Sequence, residues 1–195
     1  MIEICFASNN SHKLSEVRQI IGPDFRILSL SDIGCEDDLP ETSDSFQGNA
    51  SQKAEYVRDK FGIECFADDS GLVVPSLNGE PGVYSARYAG LQRSDSDNIT
   101  LLLERLSGKP DRSAYFIACI ALTRMTGTYV FEGKVAGSIL ADRRGTSGFG
   151  YDPVFQPDGY VRTFAEMTME EKSELSHRGI AARHLAKFLN EHYLS

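Results

Sequence analysis

Hydrophobic residues in this chain follow two spacings that alternate along the sequence. Apolar side chains fall on every second position over residues 2–6 and then at helical spacing over 14–21. The same analysis predicts a second strand at 25–28, a helix face over 46–57 and a third strand at 63–67. Strands that alternate with helices are typical of folds in which helices cover a sheet. The pattern therefore predicts the α/β class.

The second half of the sequence predicts a hairpin between helices. A polar cap at 94–95 begins a predicted helix, and residues 114–122 alternate between apolar and other side chains over nine positions. A turn at 126–127 then indicates a long antiparallel hairpin. Capping residues predict two helices over 168–189. We expect one α/β domain with a mixed sheet over residues 1–195.

Composition excludes several classes of protein. The chain has 195 residues, of which 41% are hydrophobic and 25% charged, as is typical of a globular protein with a proper core. No apolar run approaches the roughly 20 residues that a membrane span requires. Residues 1–6 lack the basic segment that begins a secretory signal. We therefore expect a cytoplasmic protein that binds no membrane.

Charge and cysteine content narrow the classes of ligand. The net charge is −8, whereas a general affinity for nucleic acid needs a basic surface, so we expect no nucleic acid partner. An acidic protein that holds a polyphosphate usually needs a divalent cation between the two sets of charge. The cysteines form no Cys-x-x-Cys pair, which favours reduced structural thiols over a zinc site at Cys5, Cys35, Cys65 and Cys119.

A candidate reactive site follows the strand predicted at 63–67. This apolar run leads directly into Asp68, Asp69, Ser70 and Gly71. Successive side chains of a strand point to opposite faces, so the two carboxylates are expected to differ in role. The glycine would let the backbone come close to a ligand. A solvated turn is the alternative, because Asp, Ser and Gly are ordinary turn residues.

Two polar loops carry further candidate ligands. Residues 8–13 join a strand to a helix N-terminus, where backbone N–H groups, the helix dipole and Lys13 can bind phosphate. The loop is not a P-loop, and other polar loops before helices share its features. Glu41 lies in an acidic loop and with Asp69 could hold Mg²⁺, which takes one or two carboxylates plus substrate phosphates. A solvated acidic loop is the simpler explanation.

Residues 145–153 place two aromatic rings among glycines. An aromatic ring on a glycine-hinged loop suits stacking on a base, which is worth about 1–3 kcal/mol per base. The alternative is a tight turn whose rings complete the core. Farther along the chain, Lys172, His177 and Arg178 lie near a predicted helix boundary. Because arginine offers only donors, Arg178 suits a carbonyl oxygen.

Taken together, these segments resemble the inosine triphosphate pyrophosphatase family, which hydrolyses non-standard purine nucleoside triphosphates. The matching segments follow one another along the whole chain at residues 8–13, 41–42, 46–50 with Lys53, 66–72, 79–90, 148–153, 171–173 and 176–179. Each is weak alone, whereas the ordered set is specific. Two departures are mild: Ser8 stands where the family often has Thr, and Ser43 where Gly often follows Glu-Thr.

The resemblance implies an elongated, mixed-sheet α/β domain of two lobes around a central cleft, a homodimer, and Mg²⁺ as cofactor. It implies hydrolysis of ITP, dITP and XTP to the monophosphate and pyrophosphate, before these nucleotides enter DNA or RNA. By position, Glu41 and Asp69 would hold the metal, and Asp69 would also be the catalytic base. The residues that would hold the substrate are Ser8, Asn9, Asn10, Ser11, His12, Lys13, Lys53, Ser70, Phe149, Gly150, Tyr151, Asp152, Lys172, His177 and Arg178.

Selection of the base follows from these implied positions. Donors at His177 and Arg178 facing C6 would favour a 6-keto purine over adenine by roughly 10⁴-fold or more. We accordingly expect Arg178→Ala to narrow the preference for inosine over adenosine nucleotides. Two other functions stay open, namely a related pyrophosphatase for modified pyrimidine nucleotides and a non-catalytic nucleotide sensor. The sequence leaves open whether Asp68 supports the loop or reaches the metal through water.

Overall fold

A computed structural model describes residues 1–194 of the chain. Its strands are β1 (Ile2–Phe6), β2 (Phe25–Leu28), β3 (Cys65–Val73), β4 (Ser113–Arg124), β5 (Gly127–Ile139) and β6 (Phe155–Pro157). Its α-helices are α1 (Ser11–Ile21), α2 (Phe46–Phe61), α3 (Asp95–Arg105), α4 (Met169–Leu175) and α5 (His177–Tyr193). Short 3₁₀ helices span Ser31–Ile33, Pro75–Leu77, Gly82–Arg87 and Phe164–Glu166. Within residues 1–194, every helix is too short or too polar to cross a membrane.

The six strands form one sheet in the order β2-β1-β3-β4-β5-β6. Strand β1 is parallel to both β2 and β3, and such pairs need crossover connections like those that contain α1 and α2. Strands β4 and β5 are neighbours joined by Met125 and Thr126, and so short a link joins only antiparallel strands. Strand β6 is antiparallel to β5. The predicted α/β class, mixed sheet and hairpin are confirmed.

One of two compact units comprises residues 1–69, 118–133 and 178 to the end of the described chain. Apolar residues of β1, α1, β3, β4 and α5 share its larger core, in which Phe6 and Phe66 stack with ring centroids 4.8 Å apart. Helix α2 buries Ala54 and Val57 in a second cluster together with three of the cysteines. All four cysteines are buried and free, as predicted.

The other unit comprises residues 70–117 and 134–177. Its core contains apolar residues of α3 and the rings of Phe116, Phe155 and Phe164. The Phe116 ring lies 4.7 Å from that of Phe155 and stacks at 4.7 Å on the ring of His177, measured between centroids. The assignment of residues 1–195 to a single domain remains a prediction.

Strand β3 differs from its predicted bounds. The prediction at 63–67 stops before the two aspartates, whereas β3 begins at Cys65 and continues through Asp68 and Asp69 to Val73. The solvated-turn interpretation of these residues is therefore wrong. Both carboxylates are buried, and the buried Arg178 and partly buried Lys13 next to Asp68 allow a strand to carry this charge through the interior.

Candidate active site

Asp68 is the centre of a buried group of charges in the first unit. Its side chain is 1% exposed and accepts hydrogen bonds from Lys13 Nζ at 2.9 Å and from Arg178 Nε at 3.1 Å. Burial by itself favours the neutral acid, but the charges of Lys13, Arg178 and Lys53 outweigh it and hold the pKa of Asp68 well below its ordinary value. Asp68 is therefore a fixed carboxylate that holds two cations in place.

Asp69 has different surroundings. Asn49 Nδ2 donates to Asp69 Oδ2 at 3.0 Å. Burial raises the pKa of Asp69, the charge of Glu41 raises it further, and Lys53, Asn49 and Lys13 oppose the rise without cancelling it. A carboxylate with a raised pKa is a stronger proton acceptor when ionised. Of the two neighbours, Asp69 is thus the one suited to act as a base.

Helix α2 positions the partners of both aspartates. Asn49 and Lys53 lie four residues apart, so they share one helix face, and both are buried. Lys53 Nζ donates to the Asp68 carbonyl oxygen at 2.7 Å and to Glu41 Oε1 at 2.6 Å. Asn49 Oδ1 accepts from Ser43 N at 2.9 Å, which attaches the Glu41 loop to the helix. Two helical residues thereby fix the acidic loop beside β3.

The predicted phosphate loop at residues 8–13 caps α1. Asn10 Oδ1 accepts from the backbone N–H groups of His12 at 3.0 Å and Lys13 at 3.2 Å, and Ser8 Oγ accepts from Asn10 N at 3.1 Å. These contacts are those of a helix N-cap, which leaves a positive helix end in the loop. Asn9, Asn10, Ser11 and His12 are exposed. Lys13, the last residue of the loop, contacts Asp68.

Arg178 lies deeper than the sequence indicates. It is 2% exposed, and its Nη1 donates to Glu16 Oε2 at 2.7 Å while its Nε binds Asp68. Burial lowers the pKa of Arg178, but Asp68 and Glu16 outweigh burial and raise it. Glu16, which the sequence analysis missed, lies three residues after Lys13 on the buried face of α1. The sequence does hold a signal for Glu16, because it is a carboxylate on a helix face that otherwise carries apolar residues.

A metal would find suitable oxygen ligands at Glu41 and Asp69. Among residues 1–194, no three His, Cys, Asp or Glu side chains form a ready cluster of metal ligands. Glu41 and Asp69 are nevertheless close enough that the charge of Glu41 raises the pKa of Asp69. A divalent cation between them would offset this repulsion, and Mg²⁺ typically takes one or two carboxylates with its other positions on water and phosphate. The donor set fits magnesium.

In the second unit, Asp152 organises the aromatic loop. It is buried, and its Oδ2 accepts from Phe149 N and from Lys172 Nζ, both at 2.8 Å. The Lys172 ammonium also lies 4.6 Å from the centroid of the Phe149 ring, which itself is half-buried. The predicted residues Phe149, Asp152 and Lys172 therefore form one cluster, with a cation held over an aromatic face.

Other predicted residues of this unit support the loop. Tyr151 lies in the core, and its hydroxyl donates to the Ser85 carbonyl oxygen at 2.8 Å. Burial, with smaller effects of Tyr88 and Asp95, raises the pKa of Tyr151. For the Tyr151 ring, the structure thus favours the core interpretation over stacking. His177 is buried against Phe116, and Ser70 is half-buried next to Asp69 in the chain.

The predicted site residues thus fall into two groups. The first unit brings Lys13, Glu41, Lys53, Asp69 and Arg178 around Asp68, and the second gathers Phe149, Asp152 and Lys172. Asn49 joins the first group through its bond to Asp69. Its position one helical turn before Lys53 was the signal in the sequence.

The chain is similar to known proteins over nearly its whole length. The chain is 50% identical over 187 residues to a dITP/XTP pyrophosphatase of Flavobacterium psychrophilum, which covers 96% of this chain and 98% of that one. A dITP/XTP pyrophosphatase of Porphyromonas gingivalis is 49% identical over 190 residues, covering 97% and 98% of the two chains.

Solved structures show the same fold. The Ham1 protein of Staphylococcus aureus aligns with a TM-score of 0.90 at 40% identity, over 97% of this chain and 98% of that chain. A HAM1 protein of Coxiella burnetii aligns with a TM-score of 0.91 at 38% identity, over 98% and 100% of the two chains. Residues 4–188 match the sequence profile of the Ham1 family. With nearly the whole length matched in sequence and in structure, the chain belongs to the Ham1 family.

Proposed function

We propose that this protein hydrolyses the non-standard purine nucleoside triphosphates dITP, XTP and ITP to the monophosphate and pyrophosphate. The relatives named above are dITP/XTP pyrophosphatases at 49–50% identity over nearly the whole chain. The structural observation that carries the proposal is the pair Asp68 and Asp69: Asp68 binds Lys13 and Arg178, Asp69 accepts from Asn49, and their pKa values shift in opposite directions. Neighbouring carboxylates with separated pKa values are typical of catalytic sites.

In this proposal the lysines of the first unit bind the triphosphate. The Lys13 ammonium is held by the Asp68 carboxylate. The Lys53 ammonium is held by Glu41 and by the Asp68 carbonyl oxygen, so both ammonium groups are positioned before substrate binds. Preorganised cations stabilise charge that develops on the phosphate oxygens and on the leaving pyrophosphate. The N-terminus of α1, which Asn10 caps, adds backbone N–H groups beside Lys13.

Glu41 and Asp69 would hold Mg²⁺. When bound, Mg²⁺ would supply positive charge that offsets the triphosphate and the two carboxylates and makes attack by water easier. Asp69 would then accept the proton of the attacking water. Asn49 fixes one Asp69 oxygen at 3.0 Å and so orients the carboxylate.

The aromatic loop would hold the base. The Phe149 ring offers a stacking surface, and Asp152 and Lys172 hold the ring and its backbone. His177 and Arg178 remain the proposed donors to a 6-keto purine. The Arg178 guanidinium donates hydrogen bonds to Asp68 and Glu16, which supports an additional role for Arg178 in shaping the phosphate end.

We also propose a cytoplasmic homodimer that binds neither nucleic acid nor membranes. The net charge of −8 supports the absence of a nucleic acid partner. The composition of the chain, with its buried free thiols, supports a reducing compartment.

A panel of triphosphates tests the proposed function. Purified protein with Mg²⁺ is assayed for pyrophosphate release from dITP, XTP, ITP, dATP, dGTP and modified pyrimidine triphosphates. We expect kcat/KM for dITP and XTP to exceed that for dATP and dGTP by at least about 10²-fold, and chelation by EDTA to abolish turnover. Preference for a modified pyrimidine nucleotide would identify a different pyrophosphatase, and tight binding without turnover would identify a sensor.

A further inference from the structure

We propose that Asp95 is a positioning residue that holds the aromatic loop 148–152 in its binding conformation and thereby sets the affinity for the nucleoside. The inference rests on the proposed function, in which this loop holds the base. Asp95 lies on α3, 55 residues before Gly150 in the chain, and the sequence analysis considered it only as a helix cap.

The contact itself is a short hydrogen bond to a charged acceptor. Gly150 N donates to Asp95 Oδ2 at 2.7 Å, which is within the range of charge-assisted hydrogen bonds. Gly150 has a φ of 59°, in the left-handed region that glycine adopts readily. Gly148, two residues earlier, has a φ of 78°. A segment with two such glycines has many accessible conformations, so hydrogen bonds are needed to hold it in one of them.

Asp95 is itself well fixed. It is the first residue of α3, and Ser94 caps the helix by accepting a hydrogen bond from Asp97 N at 3.2 Å. Helix α3 also holds Arg143, which precedes the aromatic loop in the chain, because Arg143 Nη2 donates to Ser96 O and to Thr100 Oγ1, both at 2.8 Å. The segment 143–150 is therefore attached to the same end of one helix at two separate points.

Two carboxylates accept hydrogen bonds from consecutive backbone N–H groups at the tip of the loop, residues 149–150. Asp152 accepts from Phe149 N, and Asp95 accepts from the next backbone N–H, that of Gly150. The Lys172 ammonium lies 4.6 Å from the centroid of the Phe149 ring. Loss of the Asp95 bond frees one side of the tip while the bonds of Asp152 and Lys172 remain. In such a variant, binding of the base must order the loop, and the free-energy cost of this ordering weakens the affinity for the nucleotide.

Four variants test the inference. Asp95→Ala removes the acceptor, Asp95→Glu keeps the charge but displaces it by one methylene, and Asp95→Asn keeps an acceptor oxygen at the same distance. Asp97→Ala is the matched control, because Asp97 is an exposed acid in the same first turn of α3. For each variant, kcat and KM are measured with dITP, and inorganic tripolyphosphate serves as a competitive inhibitor that lacks a base.

We expect Asp95→Ala to raise the KM for dITP about tenfold, with kcat and the inhibition constant of tripolyphosphate within about twofold of wild type. Asp95→Glu, which retains the charge at the helix N-terminus, should also raise KM. Asp95→Asn and Asp97→Ala should stay within about threefold of wild type.

Two results would overturn the inference while leaving the proposed function intact. One is a KM for Asp95→Ala and Asp95→Glu equal to that of Asp97→Ala. The other is an equal loss of affinity for dITP and tripolyphosphate, which would indicate a general structural effect. A wild-type protein that does not turn over dITP at all would instead overturn the proposed function, and the inference with it.

Discussion

Asp68 and Asp69 show how two identical side chains, adjacent in the chain, acquire different properties. Both are buried, which favours the neutral acid in each case. Asp68 lies against Lys13 and Arg178, so its pKa falls despite burial. For Asp69, burial raises the pKa, the charge of Glu41 adds to the rise, and Lys53, Asn49 and Lys13 do not cancel it. Cations outweigh burial at Asp68 but not at Asp69, so one aspartate is a structural anion and the other a candidate base.

Arg178 should be essential to the fold as well as to substrate preference. Its replacement by alanine leaves Asp68 and Glu16 buried without their shared cation, and breaking a buried ion pair costs about 3–5 kcal/mol. We predict that Arg178→Ala lowers the free energy of unfolding by about that amount, measured by urea denaturation.

The matched control for this prediction is Lys187→Ala on the same helix. Lys187 is 78% exposed and lies 4.0 Å from the exposed Glu191, so its loss should change the free energy of unfolding by less than about 1 kcal/mol. Equal stability of the two variants would show that Arg178 is not a structural cation. The effect of Arg178→Ala on purine preference can be interpreted only after the change in the free energy of unfolding has been measured.

Residue types in the first unit were predictable, whereas their partners were not. Lys13, Lys53 and the aspartates stand in segments whose composition already indicates phosphate or metal chemistry. The contact between Arg178 and Glu16 joins residues 162 positions apart, and no local spacing encodes it. Glu16 therefore went unrecognised, although it completes the charge balance around Asp68.

The secondary-structure elements that nearby residues determine, through a helix cap or an alternating pattern, were predicted well. The α3 helix begins where its Ser94 cap was expected, and the long alternation that begins at residue 114 forms β4. The end of β3 was missed because Asp68 and Asp69 have low intrinsic preference for strands, and nearby buried cations override that preference. The short strand β6, which has three residues and pairs with β5, was not predicted.

The conformation of the aromatic loop can be tested with two glycines. Gly148 and Gly150 both have positive φ, so alanine at either costs about 1–2 kcal/mol of backbone strain. A Cβ at Gly148 would overlap Asp152 Oδ2, whereas a Cβ at Gly150 meets no atom within 4 Å. We predict that Gly148→Ala raises the KM for dITP about tenfold more than Gly150→Ala does, because it displaces the carboxylate that binds Lys172.

Steady-state kinetics on the two variants, with thermal melts as a check on folding, measure this difference. Similar KM values for Gly148→Ala and Gly150→Ala would mean that the position of Asp152 does not control nucleotide affinity.

At the scale of the whole molecule, the spatial order of the strands could not be predicted from local sequence patterns. Periodicity identifies strands, but the spatial order β2-β1-β3-β4-β5-β6 depends on contacts between distant parts of the chain. Each compact unit is likewise assembled from separate stretches of sequence. The resemblance to a known family supplied the function that composition and spacing alone left open, and the match of residues 4–188 to the Ham1 family supports it.

The central claim is that Asp69 drives turnover while the rest of the molecule binds the nucleotide. Asp69→Asn keeps the shape of the side chain and removes its ability to accept a proton. We predict that kcat for dITP with Mg²⁺ falls by about 10²–10⁴-fold, while calorimetric binding of a non-hydrolysable dITP analogue stays within about threefold of wild type. The control Asp24→Asn alters an exposed aspartate and should change neither value. An Asp69→Asn variant that retains wild-type kcat would contradict the account.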